Sequence, residues 1–400
     1  MTIQLDDLPE VYAQSIKNYH MLMSRRVKAI LFVAGLYDAC IVNQETRLED
    51  RIAALYRERE DVRPPALSWA HSADEALNCL EAEDFDLVIM TLQISNAPAG
   101  DLATAIKTKW PKLPVVLLVH DPQAVVYLRQ GMRRPAGVDQ VFAWIHDSDQ
   151  VRAMIRYSED LLNVEQDTQR CGVPVILLVS ASVRQTSLLM PVVFREMARQ
   201  NERRLDDTRD DEIRMLLGKA RPRVVIANDY REAVRLFRTF QSSLLGTICV
   251  IDPHGDETDD YRDFLQKLKG ENASLPCLLL ADGALNTTAR ELLGTNTVHA
   301  DLRNPTRALS AFFSQRLGFG DLEMRNAEGE VVGRAETIGQ FETLLAGLPG
   351  AVLAHHVRQQ DIARWLYARG ELLLAQRLQA LERSDALEAA NGDLPQVLRT

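Results

Sequence analysis

The residues at the ends of the apolar runs are the first candidates for chemistry in this sequence. The stretch DFDLVIMTLQIS has an acidic lead-in, an apolar run from Leu87, and Thr91 where that run ends. In open parallel sheets, ligands bind at the carboxyl ends of the strands. An aspartate at this position, beside acids that hold Mg²⁺, would accept a phosphoryl group. Thr91 cannot replace it, because a threonine hydroxyl without an adjacent base is a weak nucleophile.

The other positions that this phosphoryl transfer requires are also changed in the first half of the chain. The acid pair expected after ILFV is replaced by Ala34 and Gly35. The hydroxyl position after the fourth run is Val119, and the lysine position after the fifth is close to Trp144. Asp38 lies one turn beyond Gly35, where we expect helix capping rather than metal binding. The sequence therefore predicts no catalytic, cofactor-binding or metal-binding residue here.

The second half of the chain leaves one position open. Ser180 and Ala181 stand at the acid-pair position, and the third run, GTICVID, places either Val250 or Asp252 at the phosphoacceptor position. The hydroxyl position is Ala281, and the lysine position is Leu302 or Arg303. Asp252 precedes a proline, which favours a turn. We therefore interpret Thr91 and Asp252 as degenerate phosphoacceptor positions, with a working phosphoacceptor at Asp252 as the alternative.

Short apolar runs alternate with helical stretches in both halves. VKAILFV at Val27 is repeated as VPVILLV at Val173, 146 positions later (173 − 27). Continuous apolar runs that alternate with helices predict parallel sheets covered on both faces. The predicted fold class is α/β: two tandem flavodoxin-like (receiver, CheY-like) doubly wound parallel sheets, followed by a C-terminal hairpin and a helical segment.

The predicted domain limits follow from these patterns. They are an N-terminal helix at 1–25, a first sheet domain at 26–165, a second at 172–318, a hairpin and helical coupling segment at 319–385, and a flexible tail at 386–400. In the coupling segment, an apolar stripe around Trp365 is explained by core packing, with a docking surface as the second interpretation. The residues predicted for such a coupling surface are Trp365, Leu366, Arg369 and Glu371.

Composition excludes some classes of function. The net charge of −10 and the pI of about 5.4 argue against a nucleic-acid footprint. We find no signal-peptide pattern and no apolar run long enough to cross a membrane. Five cysteines without a CxxC spacing predict a reducing, cytoplasmic location. The adjacent His355 and His356 would diverge on a helix and are a poor pair of metal ligands.

Longer stretches resemble a known family. These are QSIKNYHMLMSRRVKAILFVAGLYD near the start, RLGFGDLEMRNAEGEVVGRA at Arg316, and WLYARGELLLAQRL at Trp365. They resemble the N-terminal tandem receiver-like regulatory region of bacterial PEP/pyruvate-binding proteins, which are related to phosphoenolpyruvate synthase and pyruvate phosphate dikinase. The catalytic part of that family has no counterpart here. The family tends to have an acidic pair where this chain has Ser180 and Ala181, so its phosphorylation is not carried over.

These observations predict a non-enzymatic signalling or scaffolding protein. We expect it to bind a protein partner, either a PEP-synthase-type catalytic partner or a sensor kinase, or a second copy, through helix faces beside strands four and five. No cofactor, nucleic acid or membrane partner is expected. Two alternatives stay open: a response regulator that uses Asp252, and a sensor of a small ligand such as a nucleotide or PEP.

Overall fold

The structure is a computed structural model. It describes residues 19–40, 50, 52–53, 63–119, 134–144, 148–205, 218–251, 258–281 and 297–382. Within these ranges, only the backbone is described for 201–205, 258–262 and 380–382. None of the described helices is both long enough and apolar enough to cross a membrane.

The first sheet has five parallel strands in the order β2-β1-β3-β4-β5. The strands are β1 (Ala29–Val33), β2 (Ala66–Ala70), β3 (Leu87–Thr91), β4 (Val115–Val119) and β5 (Gln140–Ala143). All residues of β3, β4 and β5 are buried. Burial of both faces requires helices on both sides of the sheet, which explains why these strands have continuous apolar sequences instead of alternating ones.

Two helices pack on one face of this sheet, α1 (Ala73–Ala82) and α2 (Ala99–Lys109). Leu31 and Val33 of β1 share an apolar core with Leu80 of α1 and Leu102 of α2. A capping box begins α1: Ser72 Oγ accepts from the Glu75 N–H at 3.2 Å, and Glu75 Oε2 accepts from the His71 N–H at 2.7 Å.

The second sheet repeats the same strand arrangement. Its strands are β6 (Val175–Val179), β7 (Arg223–Ala227), β8 (Leu244–Ile251), β9 (Cys277–Ala281) and β10 (Thr297–Asp301), in the order β7-β6-β8-β9-β10. All pairs are parallel. Two parallel five-stranded sheets, each with the flavodoxin-like order 2-1-3-4-5, confirm the predicted fold class.

Five further helices are described between β5 and the hairpin that follows the second sheet. They are α3 (Ser148–Cys171), α4 (Val183–Leu205), α5 (Tyr230–Phe240), α6 (Thr258–Glu271) and α7 (Pro305–Gln315). The chain divides into two compact units, one of Met23–Asn163 with Ser180–Phe194, the other of Met1–Leu22, Val164–Val179 and Arg195–Thr400. Residues 180–194 therefore belong with the first sheet. The predicted domain limits stay predictions, and the predicted tail at 386–400 lies outside the described residues.

The hairpin predicted after the second sheet is present. Strands β11 (Leu322–Arg325) and β12 (Val331–Ala335) pair antiparallel, and Gly329 takes a positive φ of 83° in the turn. Four short helices follow: α8 (Ile338–Leu345), α9 (Gly350–Arg358), α10 (Asp361–Ala368) and α11 (Leu372–Glu382). Gly370 separates α10 from α11, with a φ of 79° that favours glycine.

A buried ion pair joins α3 to the edge strand of the second sheet. Arg223, the first residue of β7, donates from Nε and Nη2 to Asp167 Oδ2 at 2.9 and 2.7 Å. The two side chains are 0% and 1% exposed. Nη1 and Nη2 of Arg223 also donate to the carbonyls of Arg221 and Lys219. The fork geometry therefore satisfies a charge that would be costly to bury alone.

Removal of one partner of this pair should destabilise the unit that contains the second sheet. We expect Asp167→Ala to lower the free energy of unfolding by about 3–5 kcal/mol, because it leaves the Arg223 guanidinium buried without a counter-charge. Urea unfolding followed by circular dichroism measures this. Glu81→Ala, which breaks the exposed Lys109–Glu81 pair, is the control and should shift the transition by less than about 1 kcal/mol. Equal effects of the two substitutions would contradict the prediction.

Candidate functional site at the carboxyl edges of the sheets

The register of the two sheets identifies equivalent positions at their carboxyl edges. Val33, the last residue of β1, pairs with Met90, so Thr91 lies one residue further. Val179, the last residue of β6, pairs with Cys249. Val250 is therefore the equivalent of Thr91, and this settles which residue of GTICVID occupies that register. Asp252 follows two residues later and lies outside the described residues.

The fourth and fifth strands are equivalent in the same way. Thr91 pairs with Leu118 in one sheet, and Val250 pairs with Leu280 in the other. The Trp144 N–H donates to the carbonyl of Val119 at 2.7 Å, and the Leu302 N–H donates to the carbonyl of Ala281 at 3.0 Å. These matching hydrogen bonds make Leu302, rather than Arg303, the counterpart of Trp144. The predicted hydroxyl positions, Val119 and Ala281, end their strands.

No carboxylate or amine stands at any of these positions. After β1 and β6 the residues are Ala34, Gly35, Ser180 and Ala181; at the third strands they are Thr91 and Val250; after the fourth and fifth they are Val119, Ala281, Trp144 and Leu302. Among the described residues, no group of three His, Cys, Asp or Glu side chains lies close enough to hold a metal ion.

In the first sheet the loops after β1 and β3 are hydrogen-bonded to each other. The carbonyl of Gln93 accepts from the Gly35 N–H at 3.0 Å and from Thr91 Oγ1 at 3.3 Å. A carbonyl oxygen has two lone pairs, so both are engaged by the protein itself. A side chain at position 35 would place its Cβ 3.0 Å from this oxygen. Glycine therefore permits a close approach of the two loops that a larger residue would resist.

The loop after β2 joins the same network. The Ala34 N–H donates to the carbonyl of Ala70 at 3.0 Å, and His71 Nδ1 lies 3.2 Å from the carbonyl of Ala34. The Ala73 N–H donates to the carbonyl of Ser95, and Asn96 Nδ2 donates to Asp74 Oδ2 at 3.2 Å. Three loops at this edge are therefore tied together by direct hydrogen bonds.

Asp38 lies in the first turn of a helical segment at 36–40, as predicted, and is 4% exposed. A carboxylate in this place is favourable for the helix, because the N-terminal end carries partial positive charge.

Ser180 and Ser182 serve the start of α4. Ser180 Oγ donates to the carbonyl of Ser182 at 3.3 Å, and it accepts from the Ser182 N–H at the same distance. Ser182 Oγ accepts from the Gln185 N–H at 3.3 Å, so Ser182 has the role of an N-cap. The Ser180 hydroxyl at the acid-pair position therefore stabilises a turn, and the Ser182 hydroxyl beyond it stabilises the helix end.

The flank of β5 is covered within the unit of the first sheet. Ser187 Oγ of α4 accepts from the Ala143 N–H at 2.8 Å and donates to the carbonyl of Val183 at 2.7 Å. Val183 packs against the apolar core that includes β1, β3 and β4. The edge of β5 itself is therefore occupied by α4. The expectation that helix faces beside strands four and five bind a partner stays a prediction, and the helical stretch between β4 and β5 lies outside the described residues.

The predicted coupling surface is largely interior. Trp365 and Leu366 are 1% and 6% exposed, so they do not form an exposed surface, and core packing explains the apolar stripe. The Arg369 guanidinium lies 3.8 Å from the centre of the Trp365 ring. It donates to the carbonyls of Gly318, Gly320 and Glu336 at 3.1, 3.2 and 2.9 Å. Arg369 therefore links the segment after α7 and the end of β12 to α10. Half-buried Glu371 is the last residue before α11.

The histidine pair has divergent environments. His356 is buried: its Nε2 accepts from the Arg325 N–H at 2.8 Å, and its Nδ1 lies 2.7 Å from Asp361 Oδ2. Burial would raise the pKa of Asp361, but the His356 hydrogen bond and the Arg364 charge outweigh it, so the pKa is lowered overall. His355 is exposed. The prediction that the two are a poor pair of metal ligands stays a prediction.

Three exposed apolar residues at the carboxyl edge of the first sheet were not among the predicted site residues. Leu36 and Tyr37 are 69% and 77% exposed, and Leu92 is 38% exposed. The signal in the sequence was the pair of large apolar residues immediately after Gly35, where a solvated first turn of a helix is normally polar.

A carboxylate placed at Thr91 should not create a phosphoacceptor. Because position 91 is fully buried, we expect Thr91→Asp to lower the free energy of unfolding by about 3 kcal/mol or more, with no Mg²⁺-dependent uptake of phosphate from a small phosphodonor. Thr91→Val keeps the shape and loses one hydrogen bond, so it should cost about 1 kcal/mol. Thermal unfolding and phosphate labelling measure the two effects. A stable Thr91→Asp protein that takes up label would contradict this prediction.

No protein-family model matches this chain, and no curated protein matches it. The solved structures that are similar include the signal receiver domain of an HD domain-containing protein from Pseudomonas fluorescens. The two sequences are 20% identical, the TM-score is 0.29, and the match covers 36% of this chain and 94% of that chain. A response regulator receiver domain protein from Clostridium thermocellum has 15% identity, a TM-score of 0.25, and coverage of 34% and 97%. NtrX from Brucella abortus has 12% identity, a TM-score of 0.28, and coverage of 94% and 100%. This likeness to response-regulator receiver domains concerns the fold alone.

Proposed function

We propose that this chain is a non-enzymatic signalling or regulatory protein whose two receiver-like sheets act through protein–protein contacts, without taking up phosphate. One observation carries the proposal. The residues that we assign from the strand register to the acid-pair, phosphoacceptor and lysine positions of both sheets carry neither a carboxylate nor an amine, and this supports the proposal. Phosphoryl transfer to a protein carboxylate requires the nucleophile, a held cation and a positive group together, so the loss of all three removes the reaction.

The closed loops of the first sheet support the same proposal. The Gln93 carbonyl is engaged by Gly35 and Thr91, and Ala34 and Gly35 offer no oxygen from a side chain. Mg²⁺ requires a near-ideal octahedron of oxygen ligands. A cation between these two loops would have to break hydrogen bonds of the protein, and the acid-pair residues Ala34 and Gly35 would supply no carboxylate in return. We infer that the fold is retained for its shape and its surfaces.

Incubation of the whole protein with a labelled small phosphodonor and Mg²⁺ tests this proposal. We expect no label above that of a heat-denatured control, for the wild type and for Asp252→Ala alike, whereas an active receiver domain in parallel is labelled. Mg²⁺-dependent label that disappears in Asp252→Ala would overturn the proposal in favour of a working response regulator. Asp252 is the residue to substitute because it is the carboxylate nearest in sequence to the Val250 position.

We propose further that the partner is a catalytic protein of the PEP-synthase type. The support for this is the resemblance of the stretches around Arg316 and Trp365 to the regulatory region of that family. Tagged protein, expressed in its native cells, should retain PEP synthase activity on an affinity resin. A variant with Arg369→Ala, which loosens the segment that carries the resemblance, should retain several-fold less. PEP synthase activity equal to that on an empty resin would contradict the partner assignment while leaving the absence of phosphorylation untouched.

A further inference from the structure

Leu36, Tyr37 and Leu92 are exposed apolar residues on two neighbouring loops at the carboxyl edge of the first sheet. The Gly35 N–H donates to the Gln93 carbonyl at 3.0 Å, and this hydrogen bond joins the loop that precedes Leu36 and Tyr37 to the loop that follows Leu92. All three side chains are more than a third exposed. We call these three residues the edge patch. Large exposed apolar groups that cluster together mark contact sites more often than single exposed ones do.

The loops that carry the edge patch are held in place. The Ala34, Gly35, Ala73 and Asn96 hydrogen bonds described above join the loops after β1, β2 and β3. Asn96 takes a positive φ of 74°, a conformation that asparagine tolerates better than most residues. A partner that binds here would therefore meet a preorganised surface, which reduces the entropy lost on binding.

The described residues that carry a full charge beside the edge patch are acidic. Asp74, Glu75 and Asp101 are exposed in the first turns of α1 and α2. The segments 34–40, 71–75 and 92–101, which make up the described loops of this edge, contain four acidic residues and no lysine or arginine. An apolar surface with an acidic rim complements a partner that combines apolar and basic side chains.

Other occupants fit this surface less well. A second copy that docked the same patch would bring the acidic rims together, and like charges oppose that contact. Phosphate groups and anionic membranes would be repelled for the same reason. The carboxyl edge presents loops and helix starts rather than an open strand, so a partner cannot bind by adding a strand to the sheet. A helix satisfies its own backbone hydrogen bonds and needs only side-chain contacts.

We propose that the edge patch binds a basic amphipathic helix of a partner protein. This inference deepens the proposed function, because it names the surface and the chemistry of the contact on which a phosphorylation-independent protein would depend. Leu36 and Tyr37 supply the apolar contact, Leu92 extends it, and Asp74 and Asp101 bind the Lys or Arg residues that flank the apolar face of the helix.

The test uses the whole protein and a synthetic 18-residue helix with leucines on one face and lysines on the other, labelled for fluorescence anisotropy. We expect the leucine–lysine helix to bind, and its glutamate counterpart not to bind. Leu36→Ala combined with Tyr37→Ala should weaken binding at least tenfold, and Leu92→Ala a few-fold. Leu188→Ala, which removes an equally exposed leucine elsewhere in the same unit (39% exposed), should change the affinity less than twofold.

A second pair of variants tests the acidic rim. Asp74→Asn combined with Asp101→Asn should weaken binding by about three- to tenfold at low salt, with the difference shrinking as salt is added. Glu83→Gln combined with Asp84→Asn makes the same change of charge after the end of α1, at the opposite edge of the sheet, and should have less than a twofold effect.

The proposal is overturned if neither helix binds, if both bind equally, or if the control variants weaken binding as much as the patch variants. In the last case the peptide would be responding to the overall charge of −10. The assay contains neither phosphodonor nor Mg²⁺. Failure here would leave the labelling result of the proposed function intact, and label on Asp252 would leave this binding result intact.

Discussion

The pairing of the central strands of each sheet is the constraint on which the rest of this structure depends. In a parallel sheet, the hydrogen-bonded register of one strand fixes which residues of its neighbours emerge at the same edge. Val33 beside Met90, and Val179 beside Cys249, set that edge in the two sheets. Once these pairs are fixed, Thr91 and Val250 must occupy the same place. Whether this edge can accept phosphate therefore depends on the side chains that the register brings to it, and not on the order of the strands.

At the edge of the first sheet, where Ala34 and Gly35 follow β1, the backbone groups of the loops are hydrogen-bonded within the protein. A loop that holds a cation must leave oxygen lone pairs and space available. Here the Gln93 carbonyl accepts two protein hydrogen bonds, and Gly35 brings the β1 loop too close for an added side chain. These contacts stabilise the loops without a ligand. The stability of this edge then does not require a bound ion. This property suits a surface that binds its partner in one conformation of the loops.

Local patterns in the sequence were sufficient to predict the strands and the C-terminal hairpin, because each depends on residues close together in the chain. The sequence could not distinguish Val250 from Asp252 as the residue at the phosphoacceptor position. An uninterrupted apolar run does not show where its strand stops, and the register is decided by pairing with a neighbouring strand. The burial of Trp365 was harder to predict than the strands, because an apolar stripe on a helix does not reveal whether another element covers it. Asp167 and Arg223 could not be recognised at all, because charged residues 56 positions apart are expected in solvent.

The position of α4 bears on where contacts with other proteins can form. An edge strand such as β5 exposes backbone N–H and C=O groups that favour pairing with another chain unless they are covered. Ser187 accepts from the Ala143 N–H, and Val183 packs beside the core of the sheet, so this edge is used within the chain. A unit that covers its strand edge and keeps Leu36, Tyr37 and Leu92 exposed cannot extend its sheet along β5, yet it still presents an apolar surface. Recognition of a partner by the first sheet would then depend on side chains carried by its loops and not on the strands that hold those loops in place.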